Sequence, residues 1–384
     1  MQVRQLTSAD ATALAALSQE SFGVPDDVVP PRPGIHHWGV FDGAPARLVA
    51  AAEDRCHDSW LGGRPVPTAA VGSVMVAAEQ RGRGLARRLM THLLTAARAR
   101  GAVVSTLFRT APALYRSLGY EQIAELIDGT LPIQALRGIR VPEGVRVRRA
   151  APGDPDDRAG IAALYTDLAR EQSGWLTRTG PTLPDPATGP QALTVALDAD
   201  GRLQGVLSWH RADATLTVDD LLTRTAPAGS ALLAVLGSFD AVVGEIRLRT
   251  TGLDPVHWLV PGDGWRVDRV RPYMLRPIDL AAAVAARGWP EDLRGTVTIS
   301  VDDWVCPWNT GHHRLEWRDG VGRVAPGEPG GPRMAVRGLG LLLAGGLDAA
   351  VLRRAGLLAG GTAADDRVLT RAMAGPRPGI RDFF

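Results

Sequence analysis

A short β-branched run, Val71, Val74 and Val76, leads into Arg81-x-x-Gly84-x-Ala86, and an amphipathic stretch follows from Leu85 to Arg100. This order reads as a strand, a glycine-rich turn and a helix start. Glycines carry no Cβ, so backbone N–H groups can come close to a bound group. The first turn of a helix adds unpaired donors and the positive end of its dipole. Together they suit a pyrophosphate. Arg81, Arg83, Arg87 and Arg88 add positive charge around it. The stretch contains neither G-x-x-x-x-G-K-[ST] nor G-x-G-x-x-G, so the common mononucleotide and dinucleotide loops are excluded. The functional reading is a diphosphate-bearing acyl carrier. A purely structural turn before a basic helix is the alternative, and this motif alone leaves both standing.

Downstream, Ala102 to Phe108 reads as the next strand, followed by Pro112-Ala-Leu-Tyr115-Arg-Ser-Leu-Gly119-Tyr120, a short helix opened by Pro and stopped by Gly. The two linked segments resemble the GCN5-related N-acetyltransferase (GNAT) superfamily. That resemblance implies acetyl-CoA as co-substrate, held by Val74, Val76, Arg81, Gly82, Arg83, Gly84, Leu85 and Ala86. It also implies Tyr115 as the general acid toward the departing thiolate. More narrowly, Pro67-Thr-Ala-Ala-Val, Pro307-Trp308-Asn309-x-Gly311 and the ending Asp382-Phe383-Phe384 resemble the enhanced intracellular survival (Eis) acetyltransferases of actinobacteria. This narrower resemblance implies a homo-hexamer and a C-terminal domain like a sterol carrier protein. It also implies that the α-carboxylate of Phe384 takes part in deprotonating the acceptor amine, and that this amine belongs to a polyamine-type small molecule, first of all an aminoglycoside.

These groups must be positioned by a large mixed framework. A chain of 384 residues with 45% hydrophobic side chains supports two or three cores. The expected fold is α/β and α+β, as tandem GNAT-like units plus the sterol-carrier-like domain. Residues 1–137 form the catalytic unit. Thr7 or Ser8 caps a helix to about Phe22, and strands run over Trp38–Phe41, Ala46–Arg55 and Val66–Ala77. Residues 145–287 form a second unit whose opening, Val145-Arg-Val-Arg, echoes Val3-Arg-Gln-Leu. Where its phosphate turn would fall, the sequence instead has Asp219, Asp220 and Pro227, so the unit is expected to lack a cofactor site. Residues 290–384 open with strands over Thr296–Val301 and Trp304–Cys306, and continue with Leu-rich helices over 336–343 and 348–358.

Net charge is +2, which argues against bulk attraction to nucleic acid. No apolar run is long enough for a membrane span and no signal-peptide pattern opens the chain, so a cytoplasmic protein is expected. Only two cysteines, Cys56 and Cys306, are present, and no His or Cys cluster has zinc-ligand spacing, so no metal is expected. All 43 basic residues are arginine, which excludes acetylation of the chain's own lysines. Glu79, beside the turn, is expected to cap the helix. Phe22, Asp26, Asp27 and Trp38 have two readings: aromatic and acidic walls for a polycationic amine, or core residues and a solvated loop. Lysine side chains of proteins or small polyamines are the alternative acceptors. A lipid- or apolar-ligand-binding protein with a vestigial acetyltransferase site is the alternative of another class.

Overall fold

The structure, a computed structural model, describes residues 1–24, 30–151, 153–180, 182, 192–252 and 254–384. The first unit runs β1 (Gln2–Gln5), α1 (Ala11–Phe22), β2 (Ile35–Asp42), β3 (Arg47–Leu61), β4 (Arg64–Val76), α2 (Leu85–Ala99), β5 (Val104–Phe108), α3 (Pro112–Ser117) and β6 (Glu121–Pro132). The second repeats that order as β7 (Arg146–Arg149), α4 (Pro155–Arg170), β8 (Ala192–Leu197), β9 (Leu203–Ala212), β10 (Thr215–Thr223), α5 (Ala226–Gly237), β11 (Glu245–Thr250), α6 (Val256–Leu259) and β12 (Arg266–Pro277). The duplication expected from the sequence is therefore present element by element.

The boundary at 137/145 is not the spatial one. All twelve strands join one sheet in the order β1-β2-β3-β4-β5-β12-β6-β11-β10-β9-β8-β7. The last strand of each unit crosses to the other: β12 pairs antiparallel with β5, and β6 with β11. At the centre β6 and β12 pair with each other, so the two units share one sheet about a pseudo-two-fold axis.

Two irregularities position the site. In the β3–β4 ladder the register shifts between Ala51 and Glu53, opposite Ser73, which adopts φ 48°. Such a bulge bends its strand away from its neighbour. Accordingly β4 pairs in parallel with β5 only over Thr68–Val71, leaving the backbone of Val74 and Val76 free of that partner. In the second unit β9–β10 shifts between Val218 and Asp220, and β10 pairs with β11 only over Thr215–Val218.

The third unit holds a five-stranded sheet over residues 295–359, backed by helices Val336–Ala344 and Ala363–Ala372. The expected strand at Trp304–Cys306 is absent. There the Asp303 Oδ1 atom accepts the N–H groups of Val305 (3.2 Å) and Cys306 (3.0 Å), which folds the backbone into a turn. The helix expected to reach Leu358 stops at Arg354, and Leu358–Ala359 is a strand. The Pro307-Trp308-Asn309 motif proves to be a joint. Asn309 accepts the Leu280 N–H at 2.9 Å and donates to the Ile278 carbonyl at 3.0 Å, while the Trp308 indole donates to the same carbonyl at 2.7 Å.

Candidate active site

The apolar face of α2, with Leu85, Leu89, Met90, Leu93 and Leu94 buried, lies on β2–β5 and aims the helix N-terminus at the opening beside β4. Gly82 and Gly84 hold φ of 78° and 76°, and Gly84 is the N-cap residue. A Cβ on either would meet nothing within 4 Å. The backbone here therefore faces open space, and a side chain is excluded by conformation alone, as expected of a cradle for phosphate oxygens. Glu79 does not cap α2. It sits in a separate single turn (Ala78–Gln80) and pairs with Arg47 at 3.0 Å.

A cleft of about 560 Å³ runs from this turn along β4 to α3. Of the residues expected to bind the cofactor, Val74, Val76, Arg81, Gly82, Gly84, Leu85 and Ala86 line it. Arg83 does not; its guanidinium is turned to Gln80 and to Asp42, 3.3 Å away. Arg87, expected to add positive charge there, lines the cleft, and Gln80, Thr110 and Leu114 line it without having been singled out for it. Phe22, 48% exposed at the end of α1, borders the same cleft. Trp38 does not. Its ring packs edge-on against His92 of α2 at 4.8 Å, on the core side of the sheet, so the core reading holds for it. Asp26 and Asp27 lie outside the described residues.

Tyr115 closes the far end of the cleft. It is 3% exposed, and its ring stands edge-on to Tyr120 at 6.2 Å. Burial pushes its phenol above the ordinary value, partly offset by the Thr110 hydroxyl, so it holds its proton at neutral pH.

On the face of the sheet away from α2, strand alternation puts Glu53, Arg55 and His57 of β3 in a row. His37 Nε2 lies 3.2 Å from Glu53 Oε2, and both side chains are buried. Burial would raise the Glu53 carboxyl, but His37 and Arg55 hold it below its usual range, so it is ionised. His57 is pushed down to about 4, by burial and then by Arg55, and is neutral at physiological pH. The Phe384 ring packs on His57 (5.6 Å) and on Phe108 (5.3 Å), so the tail residue singled out in the sequence reaches the first unit. Nothing in the sequence around His57 hints at this. Only the placement of the tail reveals it.

Asp219 and Asp220 lie inside β10, not at the turn before α5. That turn is only Arg224–Thr225, and Pro227 sits in the first turn of the helix. Among the described residues no group of metal-ligating side chains is assembled, and no helix is long and apolar enough to cross a membrane.

Comparison with known proteins matches these features. A GNAT acetyltransferase domain model covers residues 2–123, a second covers 167–284, and a sterol carrier protein domain model covers 280–381. An uncharacterized N-acetyltransferase from Streptomyces coelicolor is 29% identical over 321 residues, which is 77% of this chain and 75% of that one. One from Streptomyces avermitilis is 28% identical over 83% of this chain and 81% of its own. A GCN5-related N-acetyltransferase from Kribbella flavida superposes with a TM-score of 0.85 at 29% identity, covering 100% of this chain and 98% of that chain. Eis1 from Mycobacterium abscessus has the same fold, with a TM-score of 0.75 at 23% identity and full coverage of both chains. The chain is thus an N-acetyltransferase built from two GNAT domains and a C-terminal sterol carrier protein domain.

Proposed function

We propose that the first unit transfers acetyl from acetyl-CoA to primary amines of multi-amine small molecules of the aminoglycoside type, in the manner of the Eis enzymes. The observation that carries this reading is the convergence at one cleft of an open glycine turn, the free strand edge at Val74 and Val76, and the buried phenol of Tyr115. The turn and the α2 N-terminus would hold the pyrophosphate. The Val76 backbone region would polarise the thioester carbonyl, placing a donor where the oxyanion develops. Tyr115 would give its proton to the thiolate as the C–S bond breaks.

The acceptor must lose a proton before its nitrogen attacks. On the side of the sheet that carries the Phe384 ring, ionised Glu53 would attract an ammonium group, while His57, pushed down to about 4, is too weak a base to take its proton. The α-carboxylate of Phe384 is assigned that proton by resemblance to the Eis family, and Phe22 is assigned a wall of the acceptor site. By the same resemblance we propose a homo-hexamer, for which sedimentation as a monomer would be the contrary result.

The test is release of free CoA from acetyl-CoA with aminoglycosides, linear polyamines and lysine peptides in parallel, with acetyl groups counted by mass spectrometry. Multiple acetylation of an aminoglycoside is the expected outcome. Turnover confined to peptides or to linear polyamines replaces the substrate and keeps the enzyme.

A further inference from the structure

The second unit keeps the splayed strand pair that forms the cofactor cleft of the first, and something else fills it. Beyond Val218, β10 parts from β11, and the guanidinium of Arg381 from the C-terminal segment lies between them. Its Nε donates to Asp220 Oδ1 on β10 (3.3 Å), its Nη2 to the Arg249 carbonyl on β11 (3.3 Å), and its Nη1 to Asp254 just after β11 (2.5 Å). Arg178 completes the arrangement, donating from Nη1 to Asp220 at 2.6 Å and from Nε to Asp382 at 2.9 Å. The Arg381 side chain is 2% exposed, and that of Asp254 10%. Asp254 is held in place by the Thr251 N–H at 2.7 Å. Ahead of the arginine, the Gly379 N–H donates to the Ser173 carbonyl at 2.8 Å and Ile380 is fully buried. Beyond it, Phe383 packs at a tilt on Phe108 (4.9 Å) beneath the Arg271 guanidinium (5.0 Å).

We infer that the strand cleft of the second unit is a binding site for the chain's own segment Gly379–Phe384, and that Arg381, Asp220, Asp254 and Arg178 are positioning residues holding Phe383 and Phe384 on the acceptor face of the first unit. This rests on the proposed reaction at Tyr115. Buried ion pairs contribute little net stability, because desolvation offsets attraction, and their best-attested use is to fix a register. Here the register fixed is that of the tail. The two guanidinium groups bridge three carboxylates drawn from three separate stretches of chain, so a slip of one residue would bury Asp382 or Ile380 where Arg381 now lies. The second unit thereby serves the reaction of the first, its cleft recognising a guanidinium where the first unit's cleft is proposed to take an acyl carrier.

The test is hydrogen exchange of the 379–384 amides in the full chain, alongside kcat and acetyl-CoA affinity, for Arg381→Gln and for the milder Asp254→Asn. The expected result is faster exchange confined to the tail and a kcat lowered about 10–100-fold, as misplacement of a reacting group by about an ångström produces. Acetyl-CoA binding is unchanged, and Arg381→Lys recovers part of both losses. Unchanged exchange in both variants overturns the anchor, and faster exchange at full kcat overturns the positioning role. Tyr115→Phe separates this inference from the reading beneath it: turnover should fall about 10²–10⁴-fold with the tail amides still protected. Full turnover in that variant would remove the active-site reading, while the exchange rates still judge the anchor.

Discussion

Replacing Tyr115 by Phe isolates a single proton. The ring stays in its slot against Tyr120 and the α2 core, so no cavity is made. What is lost is one hydroxyl whose partner, Thr110, is exposed and turns to water instead. The stability cost is therefore about 1 kcal/mol. A general acid contributes roughly 10²–10⁴-fold to rate, which is about 3–5 kcal/mol of barrier. Activity should thus fall far more than stability. The pH profile gives a second signature. Burial holds the phenol above its ordinary 10, so wild-type kcat should not decline until the pH passes that value, and the variant's residual rate should lack this alkaline limb. A thiol-release assay at saturating amine, calorimetric titration of acetyl-CoA and thermal unfolding together make the comparison. A variant with wild-type kcat, or one whose lost rate tracks lost acetyl-CoA affinity, refutes the assignment of the proton to Tyr115.

Gly84→Ala tests the cradle: with nothing within 4 Å of the added methyl, its stability cost is the φ 76° backbone alone, about 1 kcal/mol, while acetyl-CoA affinity falls because the methyl covers the amides. Urea unfolding and calorimetry measure the two, and unimpaired affinity would count against the phosphate role. His57, at about 4 in the folded chain against 6.5 unfolded, makes the unfolded chain the better proton binder between those values. Its contribution is whole above pH 6.5 and is lost as pH falls toward 4, about 3 kcal/mol in all, so His57→Gln should flatten the denaturation midpoint across that window. Residues 1–137 expressed alone lack β12, the partner of both β5 and β6, and should show no cooperative unfolding transition; a sharp one would mean the strand exchange is dispensable.

The local elements were legible because their signals are local. The amphipathic period of 85–100, Pro112 and Gly119 around a short helix, and the alternation of 296–301 each mark an element by its own residues. The order of elements in 145–287 revealed the duplication. What stayed hidden was long-range. Nothing in the sequence of β6 or β12 says which β5-like edge each will pair with, since both units offer equivalent edges. Trp38 and Phe22 looked alike as aromatic walls, but β2 alternation turns Trp38 to the α2 core, while Phe22 at a helix end borders the cleft. Asp220 reads from the sequence only as part of a stretch that departs from the phosphate turn; Arg178, distant in sequence, and Arg381, more distant still, are its partners.

The contrast between the two clefts follows from how each helix begins. In the first unit residues 77–84 carry the chain away from β4 before α2 starts, and the N-cap is Gly84, which has no side chain with which to satisfy the first amides. Those donors remain available to a ligand. In the second, α5 starts almost at once. Thr225 caps it by accepting the Ala228 N–H at 3.3 Å, and Pro227 removes another donor from the first turn. A helix so capped has little left to offer a pyrophosphate. The proposal that the second unit lacks a cofactor site therefore rests on the cap and the shortened turn, not on Asp219 and Asp220, which sit within the strand. With no phosphate drawn to its mouth, the splay beyond Val218 was free to be lined with a carboxylate, and Asp220 there receives Arg381. The different starts of the two helices are thus the ground for both proposals: that the second unit takes no acyl carrier, and that its cleft takes the tail.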